Sequence, residues 1–144
     1  MARVVAVNLS EEKGVPKSPV EKGYFEVDRG LVGDAHAGNW HRQVSLLGLE
    51  SFEKVKAQGI TDLEVGRFAE NLTTEGIILY ELPIGTRLAI GETVMEVTQI
   101  GKECHTGCAI KRITGDCVMP REGIFAKVIT PGWIKPGDEI KVLA

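Results

Sequence analysis

The chain has 144 residues, 43% hydrophobic and 26% charged, with a net charge of −3 and three cysteines. That length suits a single domain, residues 1–144, with a core large enough to need no disulfide staples, and the odd cysteine count excludes a full disulfide framework. There is no Lys/Arg block and no apolar run near the roughly 20 residues that span a bilayer, which argues against nucleic-acid and membrane partners.

Met1-Ala2-Arg3 leads into Val4-Val5-Ala6-Val7, an apolar stretch too short for an export signal. The expected location is the cytoplasm, where cysteines are free thiols, ligands or reactive groups. Arg3 to Asn8 is a predicted strand. Ser10 to Lys22, polar and holding Gly14, Pro16 and Pro19, reads as a loop. Tyr24 to Val27 and Arg42 to Leu47 are predicted strands. Leu49 to Ala57 is the one main helix, since Leu49, Phe52 and Val55 fall three apart and Gly59 follows as a stop. Leu63 to Thr73 returns to strand character. Thr86 to Ile90, Gly91-Glu92 and Thr93 to Ile100 read as a hairpin, the Gly-X pair fitting a type II′ turn. Gly123 to Ile129 and Glu139 to Leu143 are the last strands, with Pro131-Gly132 and Pro136-Gly137 between them. Seventeen glycines punctuate short β-branched runs, and no βαβ rhythm appears, so the expected fold is mainly β, a closed or nearly closed barrel.

The densest reactive segment is Gly101-Lys102-Glu103-Cys104-His105-Thr106-Gly107-Cys108-Ala109-Ile110-Lys111-Arg112-Ile113-Thr114-Gly115-Asp116-Cys117. Thiolate is the reactive and metal-binding form of cysteine, and Lys102, His105, Lys111 and Arg112 supply positive charge that favours it. If residues 106–112 form a helical turn, Cys104 and Cys108 share a face at i, i+4. Cysteine is also common core filler, and Cys117 reads that way. Cys-x3-Cys with an adjacent His is a weak structural-zinc pattern, because zinc prefers four ligands in two pairs.

A second cluster runs from Gly30 through Gly33, Asp34, His36, Asn39, Trp40, His41, Arg42 and Gln43. Its histidines and the planar fork of Arg42 suit an anion-binding cleft, and a loop that bonds its own backbone is the plainer reading. A third, Gly66-Arg67-Phe68-Ala69-Glu70-Asn71-Leu72-Thr73, places a Glu-Asn pair on predicted strand. Buried, that pair needs hydrogen-bond partners, so it braces a site or ties the barrel together.

In order and spacing these clusters resemble the MOSC family, the C-terminal domain of molybdenum-cofactor sulfurase. The resemblance covers about residues 3–143. It rests on Gly33-Asp34, His41-Arg42-Gln43-Val44-Ser45, Phe68-Ala69-Glu70-Asn71-Leu72, Ile84-Gly85, the cysteine segment, Val118-Met119-Pro120-Arg121-Glu122-Gly123-Ile124-Phe125-Ala126, and Pro136-Gly137-Asp138-Glu139-Ile140. It implies a MOSC-type β-barrel like the small barrel domain of pyruvate kinase, with short helical turns beside the main helix. It implies binding of a molybdopterin-type molybdenum cofactor, or sulfur carried for it as a persulfide. Related members reduce N-hydroxylated compounds, with the family cysteine ligating molybdenum. That cysteine aligns with Cys108, ahead of Gly115-x-x-x-Met119-Pro120, and Cys104 is its rival. Asp34, His36, His41, Arg42, Glu70, Asn71, Lys102, His105, Lys111 and Arg112 are then the expected cofactor-binding residues. In multi-domain members a pyridoxal-phosphate desulfurase accompanies the domain. Here pyridoxal phosphate is expected on a partner and not in this chain, and the expected protein partners are a cysteine desulfurase or a molybdoenzyme. Three functions remain open: cofactor handling, a small molybdenum-dependent reductase with an electron-donor partner, and a structural zinc or interaction module.

Overall fold

The computed structural model describes residues 2–12, 17–35, 37, 38, 40, 43–56 (the backbone alone for 54–56), 65, 66, 68, 70–101 and 122–143. Their strands are β1 (Arg3–Leu9), β2 (Ser18–Val20), β3 (Gly23–Glu26), β4 (Gly30–Leu31), β5 (Val44–Gly48), β6 (Leu72–Glu75), β7 (Arg87–Ile90), β8 (Thr93–Ile100), β9 (Ile124–Thr130), β10 (Gly132–Ile134) and β11 (Ile140–Leu143). One helix, α1 (Leu49–Lys56), follows β5, and a 3-10 turn spans Leu79–Glu81.

Eight strands form one sheet in the order β11-β7-β8-β9-β5-β6-β1-β2, and β10-β3-β4 form a second. The only parallel pairing among the described strands is β5 with β6, the pair connected through α1. The large sheet curls until the approach to β11 meets the start of β1. There Val4 N donates to Asp138 O at 2.8 Å, Gly137 N to Val4 O at 2.8 Å and Ile140 N to Ala2 O at 2.9 Å, and Arg3 bridges Glu139. This is a barrel-like β fold whose last seam is tied by a short bridge and not by a full ladder.

The inward alternation follows the period-2 pattern of the sequence. Thr93, Met95 and Val97 of β8 point inward, as do Leu88 and Ile90 of β7. Met95, Val97, Leu88 and Ile90 make one core with Val4, Val7, Leu46, Leu72, Ile124, Ala126, Val128 and Ile140. The hairpin has the expected register, Ile90 opposite Thr93, with Gly91 at φ 55° as the first turn residue of a II′ turn requires. All five residues of β5 are buried, because the core lies on one face and α1 packs on the other side of β5 and β6. From α1, Phe52 meets Phe68 edge-on at 5.0 Å. Glu50 sits in the helix's first turn, where a negative charge complements the dipole.

Two expectations need correction. Ser10 to Lys22 is not all loop, since Ser18–Val20 pairs with β1. It was hidden because it holds Pro19, which lacks the ladder N–H and is tolerated only where β2 lies, at the sheet edge. Leu63 to Thr73 is not one strand either. Residues 65, 66 and 68 lie in turn, Gly66 has φ 82°, and pairing starts only at Leu72. The short β4 and β10 lack a readable pattern in the sequence. Ala57 and Gly59, at the end of the expected helix, lie outside the described residues.

The pairings give the barrel two ends. β1 finishes, and β5 and β6 begin, at what we term the entry end. β5 and β8 finish, and β9 begins, at the exit end.

Candidate functional site

At the entry end β1 runs out into Asn8, Leu9 and Ser10, and the loop after β4 folds over them. Asp34 follows Gly33, whose φ of 92° turns the chain inward. Ala35 N donates to Ser10 O at 2.8 Å, and Ser10 N donates to Asp34 Oδ1 at 3.1 Å. Lys17 reaches in from the loop ahead of β2, its Nζ 2.8 Å from the same Asp34 Oδ1. The side chains are 0% and 1% exposed, so this is a buried ion pair. Lys17 Nζ also lies 3.3 Å from Ser10 Oγ, to which it donates. Such pairs are weak sources of stability, because desolvation offsets most of the attraction, yet breaking one is costly. Its physical effect is to hold the Gly-rich loop in one place.

The turn at residues 65–71 locks under this loop. Lys17 N donates to Gly66 O at 2.8 Å, and a Cβ on Gly66 would collide with the Lys17 carbonyl oxygen. Only glycine permits that approach together with the positive φ. Glu70 is fully buried and accepts from Gly66 N at 2.9 Å, Phe68 N at 3.2 Å and Thr73 Oγ1 at 2.6 Å. Burial pushes its pKa up to about 7, against the opposing pull of these donors. Asn71 Oδ1 accepts from Ser45 N at 3.0 Å and its Nδ2 donates to Asn8 O at 3.3 Å. Asn8 Nδ2 in turn donates to Glu70 O at 3.1 Å and Thr73 Oγ1 at 3.0 Å. One polar network therefore links β1, β5 and β6 beneath the loop. Gln43 extends it to β9, accepting from Val128 N at 3.0 Å.

Three of the expected binding residues, Asp34, Glu70 and Asn71, thus meet at the entry end. The described hydrogen bonds of Glu70 and Asn71 run to the chain's own backbone and neighbours, which is a bracing arrangement. His36, His41, Arg42, Lys102, Cys104, His105, Cys108, Lys111 and Arg112 lie outside the described residues, as does Cys117. His36, His41 and Arg42 belong to the loop that Asp34 and Gln43 anchor on either side. The cysteine segment leaves after Gly101 and returns before Glu122, at the exit end. Gly101 N donates to Gly123 O at 2.7 Å and Ser51 Oγ to Glu122 Oε1 at 2.6 Å. Among the described residues no group of three or more His, Cys, Asp or Glu is placed to hold a metal. Lys17, Ser10 and Asn8 were missed by the sequence reading. Lys17 sits in a polar, proline-bearing run with no periodicity, and only its partner across the fold reveals it.

A barrel-like β domain with a glycine-rich loop braced over one end is the class that this architecture defines. The family model for the MOSC domain matches residues 33–141, and the chain belongs to that family. Solved structures share the fold. The YUAD protein from Bacillus subtilis superposes with a TM-score of 0.81 at 20% identity, over 99% of this chain and 96% of that one. YiiM from Geobacillus stearothermophilus gives 0.76 at 18% identity, over 100% of this chain and 76% of that one. YiiM from Escherichia coli gives 0.67 at 18% identity, over 99% and 70%. No curated protein matches the chain. MOSC domains are linked in general to molybdenum-cofactor function. No helix among the described residues is long and apolar enough to cross a membrane.

Proposed function

We propose that this chain handles a molybdopterin-type cofactor, with the loop of His36, His41 and Arg42 taking the pterin phosphate and Cys108 meeting molybdenum or sulfane sulfur. The observation that carries this reading is the buried Lys17–Asp34 pair beneath that loop. A loop that merely connected β4 to β5 would need no buried charges, whereas a loop presenting cations to a phosphate needs a fixed frame. The donor set fits the group in kind. Asp34 and Glu70 are turned onto protein donors, which leaves the loop's cationic side chains as the groups suited to an anion. When bound, the cofactor would supply a soft metal centre, for which a thiolate is an appropriate ligand. Lys102, His105, Lys111 and Arg112 would favour the thiolate form of Cys108 and complete a cationic surround. As a sulfur carrier, the same thiolate would attack the outer sulfur of a desulfurase persulfide, form a new persulfide and release the donor's thiolate.

The test is protein made in cofactor-competent cells, assayed for molybdenum, pterin fluorescence, zinc and persulfide. Wild-type protein and Cys117→Ser should load, and Cys108→Ser should stay folded and load less than a tenth as much. Loss in Cys104→Ser alone would move the role to Cys104. Full loading in both variants, or stoichiometric zinc in place of molybdenum, would overturn the proposal. Turnover of an N-hydroxylated compound that depends on an added electron donor would identify the loaded protein as a reductase.

A further inference from the structure

The outer face of the small sheet carries an exposed apolar row that the barrel does not bury. Side chains along β10, β3 and β4 alternate, so Ile134, Phe25 and Leu31 turn into the core and their neighbours turn out. Trp133 stands directly opposite Tyr24. Val32 N donates to Tyr24 O at 3.0 Å, which sets Val32 beside Tyr24 on the other flank. One row, Trp133–Tyr24–Val32, thus crosses all three strands. Trp133 is 44% exposed and Val32 42%. The aromatic part of the row is fixed in place. The Tyr24 ring meets the Trp133 ring edge-on at 5.2 Å, and Lys22 Nζ lies 4.9 Å from the centre of the indole ring system it covers. Trp133 N donates to Glu92 Oε1 at 3.1 Å and Trp133 O accepts from Glu92 N at 3.2 Å, so the β10 edge is closed at Trp133 and the open surface is the face.

The two ends of this face differ in charge. Lys22 precedes Tyr24 by two residues and Lys135 follows Trp133 by two, and both are exposed. At the opposite end lies Glu26, two residues after Tyr24, its side chain 45% exposed. Asp138 holds Lys135 at 3.0 Å, and Arg29 reaches Glu26 only at 4.0 Å. Lys22 and Glu26 are therefore the charges that the face offers to a partner. We propose that this face docks a second copy of the chain in a two-fold dimer, the axis lying in the face along the Trp133–Tyr24–Val32 row. That axis lays each row on its copy and exchanges the two ends, so Lys22 of each copy stands over Glu26 of the other. An axis along the strands would set lysine on lysine and glutamate on glutamate, which like-charge repulsion opposes. Trp and Tyr are among the side chains most enriched at the centres of protein interfaces. Three strands of two to four residues make a small face, at the low end of the specific interfaces of about 1,200 Å² in total, so the dimer is weak and reversible. None of the residues assigned above to a cofactor takes part, and the inference stands whether or not one is bound.

Sedimentation equilibrium of the full chain, from micromolar to millimolar concentration, should show a reversible monomer–dimer exchange. In 15N spectra the amides of Tyr24, Val32 and Trp133 should shift with concentration. Trp133→Ala should weaken dimerisation at least tenfold with the thermal melt retained. Lys22→Glu and Glu26→Lys should each weaken it several-fold, and the double variant Lys22→Glu/Glu26→Lys should restore most of the loss. Lys22 and Glu26 are four residues apart on extended chain, roughly 13 Å, so that restoration arises between copies and not within one. Should Trp133→Ala fail to fold, the exposed charge variants carry the test. A monomer at every concentration, a dimer indifferent to a folded Trp133→Ala, or a double variant no better than the single ones would overturn the proposal, the first leaving the face to a different protein.

Discussion

Replacing Lys17 by Met keeps most of the side chain's length and removes only its charge. The loss takes from Asp34, whose side chain is 1% exposed, the ammonium that lies 2.8 Å from its Oδ1. A buried carboxylate robbed of its counter-ion costs about 3–5 kcal/mol. That is a large share of the roughly 5–15 kcal/mol that holds a domain of this size together. Asp34→Asn should cost a comparable amount, because it removes the negative charge that lies 2.8 Å from the buried Lys17 ammonium. The double variant Lys17→Met/Asp34→Leu removes both charges, and buried pairs replaced by apolar groups are commonly neutral to within about 1–2 kcal/mol. The two single losses should therefore exceed the double loss by at least about 2 kcal/mol, a coupling that only direct contact gives. Urea unfolding followed by Trp fluorescence measures all four proteins, and an unchanged slope confirms that the same surface unfolds in each. Singles that each cost under about 1 kcal/mol, or losses that simply add, would refute the reasoning that this pair is a buried brace.

Glu70 gives a pH prediction. Its folded-state pKa of about 7 lies above the ordinary 4.5, so its contribution to stability is fully present below pH 4.5 and is lost as pH rises through 7. The loss is at most about 3 kcal/mol, Glu70→Gln should be flat across that window, and parallel urea curves for wild type and variant would count against it. Two glycines separate clash from backbone strain. Gly66→Ala meets the Lys17 carbonyl at φ 82° and should cost at least about 3 kcal/mol. Gly85→Ala, at φ 97° with nothing within 4 Å, should cost only about 1 kcal/mol by thermal melt. Equal losses would mean that the close approach at Gly66 is unimportant.

The elements most legible in the sequence were those whose side chains alternate against a core on one face. β7 and β8 were read nearly to the residue, because their turn is a Gly-X pair and their inward residues recur every second position. The helix was legible from the spacing of Leu49, Phe52 and Val55. What stayed hidden depended on partners distant in sequence. β2 is three residues with a proline, and it becomes a strand only because Val7 to Leu9 lie beside it. Glu70 and Asn71 were placed on a strand although they precede it, because their polarity was judged against a β pattern and not against the turn they cap. Lys17 and Asp34 are 17 residues apart, with no periodicity joining them. Of the site, the sequence exposed which residue types gather in each cluster. It could not expose which of them would be consumed in bracing.

The distribution of buried polarity is the strongest physical argument about where this domain works. A β-barrel core is stable when filled with Val, Leu, Ile and Met, and each polar group added to it must be matched with a partner. Among the described residues eight of the buried polar side chains, Asn8, Lys17, Asp34, Gln43, Ser45, Glu70, Asn71 and Thr73, lie at the entry end beneath the glycine-rich loop, and Ser51, Thr74 and Thr93 are buried outside that group. Their bonds tie β1, β5 and β6 and the two flanking turns into one rigid floor. Folding alone does not require that arrangement, since the opposite half of the same barrel is filled mainly with apolar side chains from β7, β8 and β11, Thr93 being the one buried polar residue of those strands.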